Sequence, residues 1–151
     1  NIAWSTPSTR TTGDLITAAI WNQDVVANPI ALLPTGLGII IDGAGSAITA
    51  GIKGDIPVPY SCTITMATLL ADQTGSIVID IWKDTYANFP PTDGDSITAS
   101  APPTITTALK SQDSTLTGWT TTIAANSILR INVDSCTTIT RATLFLNVTR
   151  T

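Results

Sequence analysis

The chain reads as a mainly β protein: an antiparallel β-sandwich, jelly-roll-like, with a short N-terminal arm and helix. Three observations carry that expectation. The 151 residues include 28 Thr and 20 Ile, both β-branched and stiff in the way strands favour. All eleven acids are Asp, so Glu, a good helix former, is missing. Beyond Leu37 the apolar residues recur with period two, and clusters of Gly, Pro, Asp and Ser separate the runs. A chain of this length suits one domain, because it buries about 68–70% of its unfolded surface.

Residues 1–12 are polar, rich in Ser and Thr and interrupted by Pro7, as an extended arm would be. Residues 13–34 hold the helical signal. Thr17 is a suitable N-cap, and Ala18, Trp21 and Val25 recur at helical spacing. Asn28-Pro29 stops or kinks this helix, and Pro34 with Gly36 ends the segment. A helix of about ten residues is marginal alone. Ile16, Ile20, Trp21 and Val25, with Trp4 in the arm, therefore call for a partner surface and form the expected anchor. The division is residues 1–34 as arm and helix, and 35–151 as the β-sandwich.

About eight strands follow. Asp42-Gly43-Ala44-Gly45 punctuates the first. Ile64, Met66 and Leu70 share one parity, and Asp72-Gln73-Thr74-Gly75 has the composition of a hairpin loop. Ile77, Ile79 and Ile81 alternate with Val78, Asp80 and Trp82, which predicts a strand covered on both faces. A loop rich in Pro, Asp and Ser runs from Asp84 to Pro103. Leu129, Ile131 and Val133 alternate with Arg130, Asn132 and Asp134, and Asp134-Ser135 is the expected turn into the last strand. There Ala142, Leu144, Leu146 and Val148 form the core face.

Several chemistries are excluded. Without His there is no Ser-His-Asp or Cys-His catalysis and no histidine switch. Two Cys cannot make an all-thiolate zinc site. A net charge of −4 with seven scattered Lys and Arg does not suit nucleic acid. No apolar run reaches the ~18–20 residues of a membrane-spanning helix. With 12% charged residues, this composition points away from both disorder and catalysis, and it calls for no cofactor. Cys62 and Cys136 either close a long disulfide loop or sit as two small apolar thiols.

Few residues invite site chemistry. Asp84, Asp93 and Asp95 are weak calcium candidates; the plainer reading is a turn whose carboxylates bind nearby amides. As an acid pair for glycoside hydrolysis they would need an opposed geometry. Gly36-Leu37-Gly38 and Gly43-Ala44-Gly45 complete no phosphate-loop pattern, and the Asn147-Val148-Thr149 sequon lies inside a strand pattern. The aromatics say more. Trp82, Tyr86 and Phe89 follow one another at a strand end, and Trp119 follows Gly118. Such rings stack on sugars or anchor interfaces, or else pack the core; Trp82, Tyr86 and Trp119 are the candidate ligand contacts.

Two stretches carry a resemblance. Trp4-Ser5-Thr6-Pro7, then Gly13-Asp14-Leu15-Ile16-Thr17-Ala18-Ala19, then Asn22, resembles the opening segment of tailed-bacteriophage virion proteins, many labelled tail or tail-fibre proteins. Pro29 falls where that family's helix usually continues towards Leu32 and Leu33. Gly54-Asp55-Ile56-Pro57-Val58-Pro59, Cys62-Thr63-Ile64, the run from Asp72 to Asp84 and Asn88-Phe89-Pro90-Pro91-Thr92 are similar to a β-rich domain of phage and environmental viral sequences without assigned activity.

The resemblance implies a non-enzymatic structural protein exposed on the virion, assembled in the bacterial cytoplasm. Its expected role is a tail-fibre or receptor-binding module, with capsid decoration as the alternative. Its expected partners are other virion subunits, further copies of itself as a trimer, and a host surface glycan or protein. A secreted carbohydrate-binding module is the alternative of another class.

Overall fold

The computed structural model describes Thr6, Thr9, residues 11–22, Val25 and residues 36–151. One short helix, α1 (Ala18–Trp21), precedes seven antiparallel strands: β1 (Gly36–Asp42), β2 (Gly51–Val58), β3 (Cys62–Thr85), β4 (Thr104–Asp113), β5 (Thr122–Ile123), β6 (Ser127–Thr137) and β7 (Arg141–Arg150). They form one sheet in the order β1-β7-β3-β6-β2, with β4 and β5 also paired to β3. The sheet curls into a half-barrel, where two separate sheets were expected.

The reason lies in β3. A straight strand of its 24 residues would measure about 80 Å, roughly twice the diameter of a compact chain of this size. It therefore bends, at a corner that β7 reaches from one side and β6 from the other. The first part of β3 (Cys62 to Ala71) pairs with β7, and the last part (Ser76 to Thr85) pairs with β6. β1 lies beside β7 and β2 beside β6. The sheet is thus two halves, β1-β7-β3 and β2-β6-β3, joined along a corner.

The residues read as a hairpin loop, Asp72 to Gly75, are that corner. The Asp72 carboxylate accepts hydrogen bonds from the backbone N–H of Thr140 at 3.1 Å and of Arg141 at 3.0 Å, and from the Thr140 hydroxyl. Gln73 donates to the Thr138 carbonyl, and the Thr138 hydroxyl donates to the Thr74 carbonyl at 2.9 Å. The connection between β1 and β2 joins the seam: Gly43 N–H donates to the Thr140 carbonyl and Ile48 N–H to that of Ile139. Gly75 is required here, since a Cβ would collide with the Thr137 carbonyl and the Thr138 hydroxyl. The chain reverses nothing at Asp72; it folds the whole sheet.

The turn between β6 and β7 falls at residues 138–140, with Thr138 at φ +65°, and not at Asp134-Ser135, which lie inside β6. A register shift between Ile64 and Met66 reverses the expected parity. Ile64, Ala67 and Leu69 are buried as a result, and Leu70 is 48% exposed. The turn after Asp42 is as expected, with its carboxylate accepting from Ala44 N–H at 2.6 Å.

One core fills the concave side. Ile77, Ile79, Ile81, Leu129, Ile131 and Val133 from one half meet Ile64, Leu69, Ala142, Leu144, Leu146 and Val148 from the other, all at most 3% exposed. At the open end Arg150 stacks on Tyr60 at 3.8 Å and Thr151 N–H donates to the Ser61 carbonyl. Cys62 and Cys136 are free thiols, and burial pushes both thiol pKa values up.

Thr17 caps α1 as expected, its hydroxyl accepting from Ile20 N–H at 3.4 Å. None of the four helical residues is buried.

Candidate functional site

The outer face of the β2-β6-β3 half carries the chain's most developed surface feature. Asp55, Arg130 and Trp82 form one cross-strand row. Arg130 donates from Nε and Nη2 to the two Asp55 carboxylate oxygens at 2.7 and 3.0 Å. This bidentate grip also raises the Arg130 pKa, so its charge is permanent. Phe89, carried over β6 by the loop that leaves β3, lies 4.9 Å from the Arg130 guanidinium.

Beside this stack opens a cleft of about 550 Å³ lined by Pro57, Val58, Pro59, Tyr86, Phe89, Asn126 and Ile128, with Asp55. Its walls are proline and aromatic rings, and Tyr86 is 82% exposed. Volumes of ~300–1,000 Å³ with mostly apolar walls and few polar groups are typical of small-ligand sites.

The sequence candidates separate here. Tyr86 lines the cleft, while Trp82 is half-buried and donates its indole N–H to Asp80 at 2.7 Å. Trp119 packs against the core elsewhere, beside Pro102, Pro103 and Leu69, and donates to the Ala101 carbonyl at 2.8 Å. Phe89, Pro57, Pro59 and Arg130 join the site although spacing alone did not single them out as ligand contacts. The alternation in β6 did signal that Arg130 points away from the core.

Asp80 explains the double coverage expected of β3. Its carboxylate is buried and accepts from Ile81 N–H, the Ser96 hydroxyl, the Thr98 hydroxyl and the Trp82 indole. The returning loop also pairs with β3 through Ile97 N–H to the Ile81 carbonyl at 2.9 Å. The chain's own loop therefore covers the second face of this strand.

The calcium candidates serve local turns. Asp84 accepts from Thr85 N–H at 2.6 Å and from the Asn88 amide at 3.1 Å. Asp95 accepts from the backbone and hydroxyl of Thr92, both at 2.8 Å, which holds its pKa down. Asp93 acts only at a distance: the Asp134 pKa is raised by burial and further by the charges of Asp80 and Asp93, against an opposing hydrogen bond from Asn132. Among the described residues, no three His, Cys, Asp or Glu side chains are placed to hold a metal ion. No helix among them is long and apolar enough to cross a membrane.

The anchoring candidates lie outside this cleft. Ile16, Trp21 and Val25 are 59%, 53% and 49% exposed, and Leu15 beside them is 80% exposed. Ile20 is half-buried. Trp4 lies outside the described residues.

No family model matches the chain, and no curated protein matches it. One solved structure, titled "Structure of infectious bursal disease virus Gx strain", aligns over 78% of this chain at 11% identity with a TM-score of 0.23. The chain spans about a third (34%) of the length of that one. At that score the likeness carries no argument.

Proposed function

We propose that this chain is a non-enzymatic structural protein on the surface of a tailed-phage virion, a tail-fibre or receptor-binding-type module held to neighbouring subunits by its N-terminal segment. One observation carries the reading. Leu15, Ile16, Trp21 and Val25 stand between 49% and 80% exposed on a segment whose described residues contribute nothing to the core. Such a cluster favours a second surface that covers it. The kind of surface comes from the opening motif, Trp4 to Pro7 and Gly13 to Ala19, which resembles phage virion proteins. Low charge supports the reading too, since a subunit enclosed by neighbours needs few solvating groups.

The division of labour follows. Residues 1–34 hold the chain to other subunits, and the aromatic cleft on the β2-β6-β3 half is free to meet a host glycan or protein. Electron microscopy of the particle tests this. Density at the tail is expected. Absence from purified particles would overturn the reading, and density on capsid faces would replace the fibre role with decoration. In the full chain, Ile16→Asp with Trp21→Asp is expected to abolish incorporation while leaving the circular dichroism spectrum unchanged.

The exposed Tyr86 favours a second reading, a carbohydrate-binding module. It expects sugar binding on a glycan array that is lost in Tyr86→Ala. Trp82 and Trp119 are poorer test positions, because their indoles serve internal hydrogen bonds. A blank array would remove it.

A further inference from the structure

An edge strand offers unpaired N–H and C=O groups to any other chain, and proteins guard such edges with Lys, Pro, bulges and short strands. The edges of this half-barrel are treated unequally. β2 carries Lys53, Pro57 and a register shift between Ile52 and Gly54. β4 carries Lys110, register breaks against β3 and Thr107 at φ +47°. β1 has none of these. Its sequence Gly-Leu-Gly-Ile-Ile-Ile-Asp holds neither Pro nor Lys, and it pairs with β7 over all seven residues without a shift. Among the described residues no strand hydrogen-bonds its other edge; β2 approaches β1 where the Ile39 side chain reaches Gly54, a side-chain contact and not a ladder.

We infer that β1 is an association edge and that its occupant is β1 of a second copy, paired antiparallel about a two-fold axis at Ile39. Self-complementarity argues for this occupant. Centring on Ile39 sets each Ile40, 66% exposed, opposite Gly38 of the other copy, and each Leu37 opposite Ile41. Large side chains then face a small residue on the outer face and apolar residues on the inner one. The Phe145 ring, which overlies Gly36 and Gly38, gives the incoming Ile40 an apolar neighbour. The strand's one charge, Asp42, falls opposite Gly36, so the two carboxylates lie at opposite ends of the pairing and do not repel. A two-fold axis needs one patch used twice, and this strand supplies it. This two-fold pairing stands in place of the trimer implied by the resemblance, and it does not depend on the virion reading.

Sedimentation velocity and light scattering on the full chain test it. The wild type is expected at twice the 15.7 kDa chain mass. Ile40→Lys should halve that mass with an unchanged circular dichroism spectrum. Leu70→Lys, an equally surface-placed change on the same outer face two strands away, should leave it alone, as should Trp21→Asp. A monomeric or trimeric wild type would overturn the pairing, as would an Ile40→Lys variant that stays dimeric. Loss of the dimer in Leu70→Lys or Trp21→Asp would assign the association to the open face or the N-terminal segment and overturn the edge assignment. None of these masses bears on whether the chain is found in particles, so the virion reading stands or falls separately.

Discussion

The two halves of the folded sheet have the same inner face and opposite outer ones. Inside, each contributes rows of Ile, Leu and Val that are essentially solvent-free. Outside, β2-β6-β3 is covered by its own loop, with a buried carboxylate, an ion pair and a ring stacked on a guanidinium. The outside of β1-β7-β3 is left open, with Ile40, Leu70 and Phe145 between 41% and 66% exposed. The halves are held together by their shared inner face and differ only in what covers them outside.

The shared core carries the largest expected effects. Ile131→Ala in one half and Leu144→Ala in the other should each cost about 2–5 kcal/mol, because both leave cavities in the shared core. Urea unfolding would check it, and two separate transitions would mean that the halves do not share one core. Next comes the covered outer face. Asp80→Ala strands the Ser96, Thr98 and Trp82 donors and should cost on the order of 3 kcal/mol. Leu70→Ser on the open face should change stability by no more than about 0.5 kcal/mol.

The corner and the loop give opposite pH signatures. The Thr140 hydroxyl and the Arg141 and Thr140 amides hold the Asp72 pKa below the ordinary carboxylate value. Its contribution is therefore complete above the unfolded value of about 3.9 and is lost as pH falls through the lower folded value. The gap in melting temperature between wild type and Asp72→Asn should be full at neutral pH and close in acid. Asp134 is shifted the other way, so its charge costs stability above its raised pKa and the cost vanishes below the unfolded value. Asp134→Asn should stabilise at neutral pH, and that gain should fade on acidification.

Much was legible in the residues themselves. Thr and Ile, period-two alternation and the absence of Glu mark this as a β protein, because side-chain direction in a strand depends on the chain alone, and Thr17 marks its short capped helix. The core faces of β6 and β7 follow from the same rule. What the tertiary structure alone decided is how turn chemistry is used. Asp72 to Gly75 has the same composition whether it reverses a strand or bends it, and only the partners at residues 138–140 distinguish the two. The cleft was illegible for a related reason. Pro57, the Tyr86–Phe89 pair and Asn126 are far apart in the chain and meet only because a loop crosses β6, and local periodicity carries no record of long-range contact.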